Sequence, residues 1–123
     1  MGMVVMVTVD SRLKWNDTGT DLIQGKQYRY RATGSWQDWY IVCDANGYSR
    51  WMLWLFGWML RVPSAHWFQL IGVVDKAMSH PIRMGIEGTF TAPASGRLWV
   101  FANDAAFAYG NNTGTIELQV WPD

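Results

Sequence analysis

Hydrophobic and polar residues alternate with period two in several short stretches of the chain, the pattern of a strand with one buried face. Val5, Val7 and Val9 alternate with Met6 and Thr8, and Tyr28, Tyr30 and Ala32 with Gln27, Arg29, Arg31 and Thr33. Ile86, Gly88 and Phe90 alternate with Glu87, Thr89 and Thr91. The cleanest run sets Ile116, Leu118 and Val120 against Thr115, Glu117 and Gln119. Two further runs, Trp67 to Val74 and Leu98 to Ala102, are more uniformly apolar and read as central strands. Turn residues separate these runs at Asp17-Thr18-Gly19, Gln24-Gly25-Lys26, Ala45-Asn46-Gly47, Pro93-Ala94-Ser95-Gly96 and Gly110-Asn111-Asn112-Thr113-Gly114. Gly and Asn accept the positive φ that tight reversals require. About six to eight short strands at this spacing predict an all-β fold, a two-sheet antiparallel β-sandwich. No βαβ alternation, internal repeat or low-complexity segment is present.

Residues 44–65 break the pattern. Trp51, Trp54, Leu55 and Trp58 fall on one face of a helix, but Met52, Leu53, Phe56 and Met59 make the other face apolar too. Gly57 weakens a helix and Pro63 ends one. The stretch is expected to be a short helical or irregular Trp-rich crossover covering one end of the sandwich. As an exposed element it would instead be a subunit interface or a ligand-contacting lip, since large exposed apolar patches mark contact surfaces. Insertion into a membrane surface is disfavoured because Arg50 and Arg61 are the only nearby cations. The run Trp51 to Leu60 is half the length of about 20 residues that a membrane-spanning helix needs.

Size and charge narrow the function. A chain of 123 residues fits a single domain over 1–123. Ten Lys plus Arg balance ten Asp plus Glu, so the basic surplus that phosphate-backbone binding requires is missing and nucleic acid is not expected as a partner. A net charge near zero gives little repulsion between copies, and a homo-oligomer is expected. One cysteine, Cys43, excludes an internal disulfide and a cysteine-based zinc site within one chain. Met1 to Asp10 lacks the basic start and cleavage pattern of a secretory signal. A cytoplasmic location, or release without a classical signal peptide, is expected. Nine tryptophans are more than a small core hides, so some are expected at the surface.

Candidate chemistry concentrates between Phe101 and Gly114. Here a long loop leaves an apolar strand and carries the Asp104 carboxylate and the amide oxygens of Asn103, Asn111 and Asn112. Calcium takes six to eight such hard oxygens in tolerant geometry. No basic residue follows Arg97, whereas Asp104, Glu117 and Asp123 are acidic, so a cation is locally favoured. The same residues also close hairpin turns for purely conformational reasons.

The order Asn103-Asp104, then Tyr109-Gly110-Asn111-Asn112-Thr113-Gly114, resembles the calcium loop of the galactophilic calcium-dependent lectins of pseudomonads (PA-IL-like). Weaker similarities lie at Asn16 to Thr20, Gly25, Ala32-Thr33-Gly34, Ile71-Gly72, Gly88 and Ala92-Pro93, and together they cover most of the chain apart from residues 39–66. The resemblance implies a galactose-binding-domain-like sandwich with Ca2+ as its cofactor. Side-chain oxygens would come from Asp104, Asn111 and Asn112, and backbone carbonyls from Ala108 and Asp38. A carbohydrate or glycan would complete the calcium shell with two hydroxyls, contacted also by Asp104, Ala105 and Asn111. The family's sugar-contacting His and nearby Gln have no counterpart here, because the Trp-rich segment replaces their loop. Phe107, Trp36 or Trp39 would supply a stacking face in their place.

No enzyme is expected. Cys43 with His66 or His80 is a candidate Cys–His pair, but a lone cysteine ending an apolar run is more often a small buried hydrophobe. Asp38, Asp44, Glu87 and Asp104 are candidates for the two facing carboxyls of a glycosidase, but spacing alone does not pair them. The alternative to a calcium-dependent lectin-like domain is a structural or interaction module that associates through residues 51–60.

Overall fold

The computed structural model describes residues 5–49 and 54–123, so Arg50, Trp51, Met52 and Leu53 of the Trp-rich segment lie outside the described residues. Ten strands run in chain order: β1 Val5–Asp10, β2 Asn16–Leu22, β3 Gln27–Thr33, β4 Trp36–Asp38, β5 Ile41–Cys43, β6 Leu70–Val74, β7 Ile82–Arg83, β8 Glu87–Thr91, β9 Gly96–Ala102 and β10 Asn112–Pro122. All pairings between them are antiparallel, and they form one six-stranded and one four-stranded sheet. The expected two-sheet β-sandwich is the fold.

Strand β10 organises the larger sheet. Its C-terminal part pairs with β3, Val120 opposite Tyr30, and β3 pairs with β8. The same residues pair with β1, Val120 opposite Val5, so β1 must lie along the other edge of β10. The start of β10 pairs with β4, Asn112 opposite Asp38, and β4 turns back into β5. The four-stranded sheet has the order β2-β9-β6-β7.

The alternating runs bury the faces that their periodicity marks. Tyr28, Tyr30 and Ala32 of β3 and Ile116, Leu118 and Val120 of β10 point inward, against Leu70, Leu98 and Val100 of the other sheet. Ile86 departs from its run: it precedes β8 and is exposed. Uniformly apolar β6 is buried at all five positions. Leu70 and Val74 face the main core, whereas Ile71 and Val73 face a second cluster with Phe101, Val62 and Ala65. The outer face of the smaller sheet is therefore also covered, by residues 60–66. That accounts for a strand without alternation in an antiparallel sheet, since coverage on both faces removes the reason for a polar one.

Strand β6 starts at Leu70 rather than Trp67, because Phe68 adopts φ +62° and breaks the extended chain. Trp67 instead makes an isolated bridge with Tyr48. The bridge needs Gly47, which has φ +74° and whose Cβ, if present, would collide with the Trp67 carbonyl. Of the Trp-rich segment, Trp54–Met59 forms a short 3-10 helix followed by a bridge from Leu60 to Ala105. Leu55, Phe56 and Trp58 are exposed on it. None of the described helices is long and apolar enough to cross a membrane.

Candidate functional site

Three chain segments distant in sequence converge where β4 meets the start of β10. Strand β9 ends at Ala102, and the next two residues point opposite ways, as consecutive residues in extended chain do. Asn103 turns toward the 60–66 segment. Its Oδ1 accepts the Val62 N–H at 3.0 Å, and its Nδ2 donates to the Val62 and His66 carbonyls at 2.9 and 3.0 Å. Both amide N–H groups and one lone pair of Oδ1 are engaged there, so Asn103 straps that segment to the end of β9.

Asp104 turns the other way and is 1% exposed. Its Oδ1 accepts the Ala105 N–H at 2.8 Å, but its buried Oδ2 meets no donor among the described residues. Asn112 is fully buried, and its Nδ2 donates to the Ser11 carbonyl at 2.8 Å. That bond fixes the orientation of the amide and leaves Oδ1 as a second buried oxygen with no donor among the described residues. Asp38, opposite Asn112 in the β4–β10 ladder, adds another carboxylate, whose Oδ2 accepts the Tyr48 O–H at 2.5 Å.

The electrostatics are those of two carboxylates, Asp104 and Asp38, brought close together. Burial, followed by the Asp38 charge, pushes the Asp104 carboxyl from its ordinary 3.8 up to about 6, partly offset by the Ala105 N–H and the nearby Asn112 amide. The Tyr48 phenol is pushed up by burial and by Asp38. The two orphaned buried oxygens, on Asp104 and Asn112, together with the Asp38 carboxylate fit a hard, oxygen-seeking cation. Among the described residues no group of three or more His, Cys, Asp or Glu that could hold a metal ion gathers.

This cluster has a definite pH signature. Because folding raises the Asp104 pKa, the folded state holds more protons than the unfolded one between about pH 4 and 6. Without metal, this group's contribution to stability is expected to fall as pH rises through that window, by about 3 kcal/mol in all. Melting curves of wild type and Asp104→Asn in chelator, from about pH 4 to pH 8, isolate the effect, and parallel curves would contradict it.

The remaining expected site residues divide. Asn111 is exposed, and its backbone carbonyl accepts the Trp39 N–H at 3.3 Å. Ala105 is buried and bridged to Leu60, and the Ala108 N–H donates to the Ala105 carbonyl at 2.9 Å, closing the loop into a tight turn. Phe107 is 76% exposed at its tip. Trp39 is 62% exposed, tilted against Tyr40 at 4.2 Å between ring centroids, and holds φ +55°. A bulky residue in the left-handed region is strained, and such strain concentrates at functional sites. Trp36 does not fit its expected role: it is 1% exposed and packs edge-on to Phe68 in the core, so it offers no stacking face.

Asp38 contributes more than the backbone carbonyl expected of it, because its side chain is buried in the cluster. Tyr48 was not singled out by sequence, because it stands in the 44–65 stretch where the strand pattern breaks. Arg61 is also unforeseen. Its backbone N–H donates to the Asp104 carbonyl at 3.1 Å, and its guanidinium lies 3.6 Å from the Phe101 ring centroid and bonds Tyr109 Oη at 2.8 Å. Cys43 is half-buried with its thiol pushed up to about 12, chiefly by burial, which makes it a poor nucleophile at neutral pH.

No protein-family model and no curated protein matches the sequence. A solved structure described as "EclA N-terminal domain; PllA-like lectin" superposes with a TM-score of 0.72 at 17% identity, over 98% of each chain. The fold of this chain is similar to that of a lectin domain from end to end.

Proposed function

We propose that this chain is a calcium-dependent carbohydrate-binding domain, in which the ion is held by Asp104, Asn112 and Asp38 and sugar hydroxyls complete its shell. The observation that carries this reading is the pair of buried oxygens without donors, Asp104 Oδ2 and Asn112 Oδ1. Leaving two such groups unpaired costs about 1–3 kcal/mol each, and a bound cation would remove both penalties. Calcium would supply the positive charge that orients vicinal hydroxyls. The chain's own residues then confine the ligand: Asn111 at the rim, Ala105 and Ala108 through the turn they close, and Trp39 and Phe107 as exposed aromatic faces. The likeness to a lectin domain supports the reading at the level of fold.

The test is a glycan array probed with and without a chelator. Binding that appears only with calcium, and is lost in Asn112→Leu, is the expected result. Binding indifferent to the chelator, or none, would remove the proposal. The exposed Leu55, Phe56 and Trp58 favour a second reading, an association module that uses this element to form a homo-oligomer. In that case the array stays blank, while light scattering shows a multimer that Trp58→Ser dissociates.

A further inference from the structure

A cavity of about 270 Å³ lies between the turn that carries Tyr48, the 3-10 helix and residues 63–67. Three contacts join it to the cation cluster. Tyr48 lines the cavity and donates its O–H to Asp38. Leu60 lines it and bridges to Ala105, next to Asp104. The following residue, Arg61, donates its N–H to the Asp104 carbonyl. A larger depression of about 390 Å³, over Arg29, Arg31, Glu87 and Trp121, shares no residue with the cluster, and there Arg31 and Glu87 already neutralise each other at 3.5 Å.

Resting on the saccharide reading of the cation cluster, we infer that this cavity is a second subsite, which takes the next ring of a neutral oligosaccharide. Its chemistry matches such a ring on three counts. No Asp, Glu, Lys or Arg is among the described residues that line it, and Arg83, the cation that contacts its Ser64, is already engaged with that hydroxyl at 2.7 Å. Trp67 and Tyr48 give aromatic surface, held opposite each other by the backbone bridge that Gly47 permits. Polar groups stand beside them: the His66 imidazole, and the Ser64 hydroxyl, which accepts from Arg83 at 2.7 Å and keeps its O–H to donate. A wall of apolar rings with a few placed polar groups is the general composition of a small-ligand site, and this volume lies near the lower end of such sites, roughly 300 Å³. It admits one ring rather than a branched glycan. The site as a whole then selects a disaccharide unit, one ring on the ion and the next in the cavity.

The experiment titrates the calcium-loaded chain with galactose, mannose and glucose, and with the homodisaccharide of each, by calorimetry. Wild type is compared with Gly57→Leu and Ser64→Phe. Gly57 lines the cavity, its φ is not positive and a Cβ there meets nothing within 4 Å, so a side chain enters without backbone strain. At least one disaccharide is expected to bind about 10-fold tighter than its monosaccharide, the added contacts costing little new translational freedom. Both variants are expected to cut that gain below about twofold, with monosaccharide and calcium affinity unchanged. A monosaccharide that binds without any disaccharide gain, or a gain that survives both variants, overturns the subsite and leaves the cation reading standing. Failure of every sugar to bind with calcium present overturns the saccharide reading and the subsite with it.

Discussion

Calcium at a hundredfold excess over its dissociation constant is expected to raise the melting temperature of the wild-type chain by about 10 °C, and Asp104→Asn to abolish that rise. Binding at that excess contributes about 2.7 kcal/mol, and a domain of this size gains a few degrees per kcal/mol. The variant should also differ from wild type in the opposite sense when metal is removed. Asn keeps the acceptor for the Ala105 N–H and removes a buried charge repelled by Asp38. In chelator at neutral pH, Asp104→Asn is therefore expected to be more stable than wild type by about 1–3 kcal/mol. The two melting curves cross between chelator and calcium. A variant that is less stable in both conditions would mean that Asp104 is a structural acceptor only, and the cation site would fall.

The second large effect belongs to the neighbouring residue. Asn103→Ala is expected to cost about 3–5 kcal/mol in urea denaturation, because it strands the Val62 N–H and the Val62 and His66 carbonyls. The loss should begin locally. Limited proteolysis of the variant is expected to cut within residues 60–66, which lose their anchor to β9, before the rest of the sandwich is attacked. Asn103→Asp should be destabilised as well, since a carboxylate still accepts the Val62 N–H but turns its second oxygen on two carbonyls in place of the amide N–H groups. A loss below about 1 kcal/mol would show that Phe101 and Arg61 hold the segment without the strap.

These neighbours show where the sequence speaks and where it stops. The strand runs were legible because a sheet with one buried face writes itself as period two, as in β3 and β10. Asp104 and Asn112 were singled out from the loop in which they stand, and the structure buries both. The separate fates of Asn103 and Asp104 were not, because both are short oxygen-bearing side chains and only the packed 60–66 segment gives one of them partners. Trp36 and Trp39 are similar in the same way. They lie three residues apart with polar residues between, and the reversal at Trp39, with its positive φ, sends one ring into the core and the other into solvent. Asp38 gained its role from the pairing with Asn112, which joins positions 74 residues apart (112 − 38) and leaves no local trace. Tyr48, Arg61 and the cavity depend on bridges across the Trp-rich segment, whose all-round apolar pattern carries no face to read.

The strap on residues 60–66 bears on how such a domain diversifies. Asn103 grips that stretch entirely through backbone groups, at Val62 and His66, and asks nothing of the side chains there. Beyond Gly47 the neighbouring loop can therefore change length and composition while its return point stays docked, and the residues proposed to hold the ion lie outside the exchanged stretch. Under the proposed function, recognition and metal retention would then be separately heritable traits. A library that randomises residues 49–59 on a fixed frame, screened for glycan binding and for stabilisation by calcium, would separate the two.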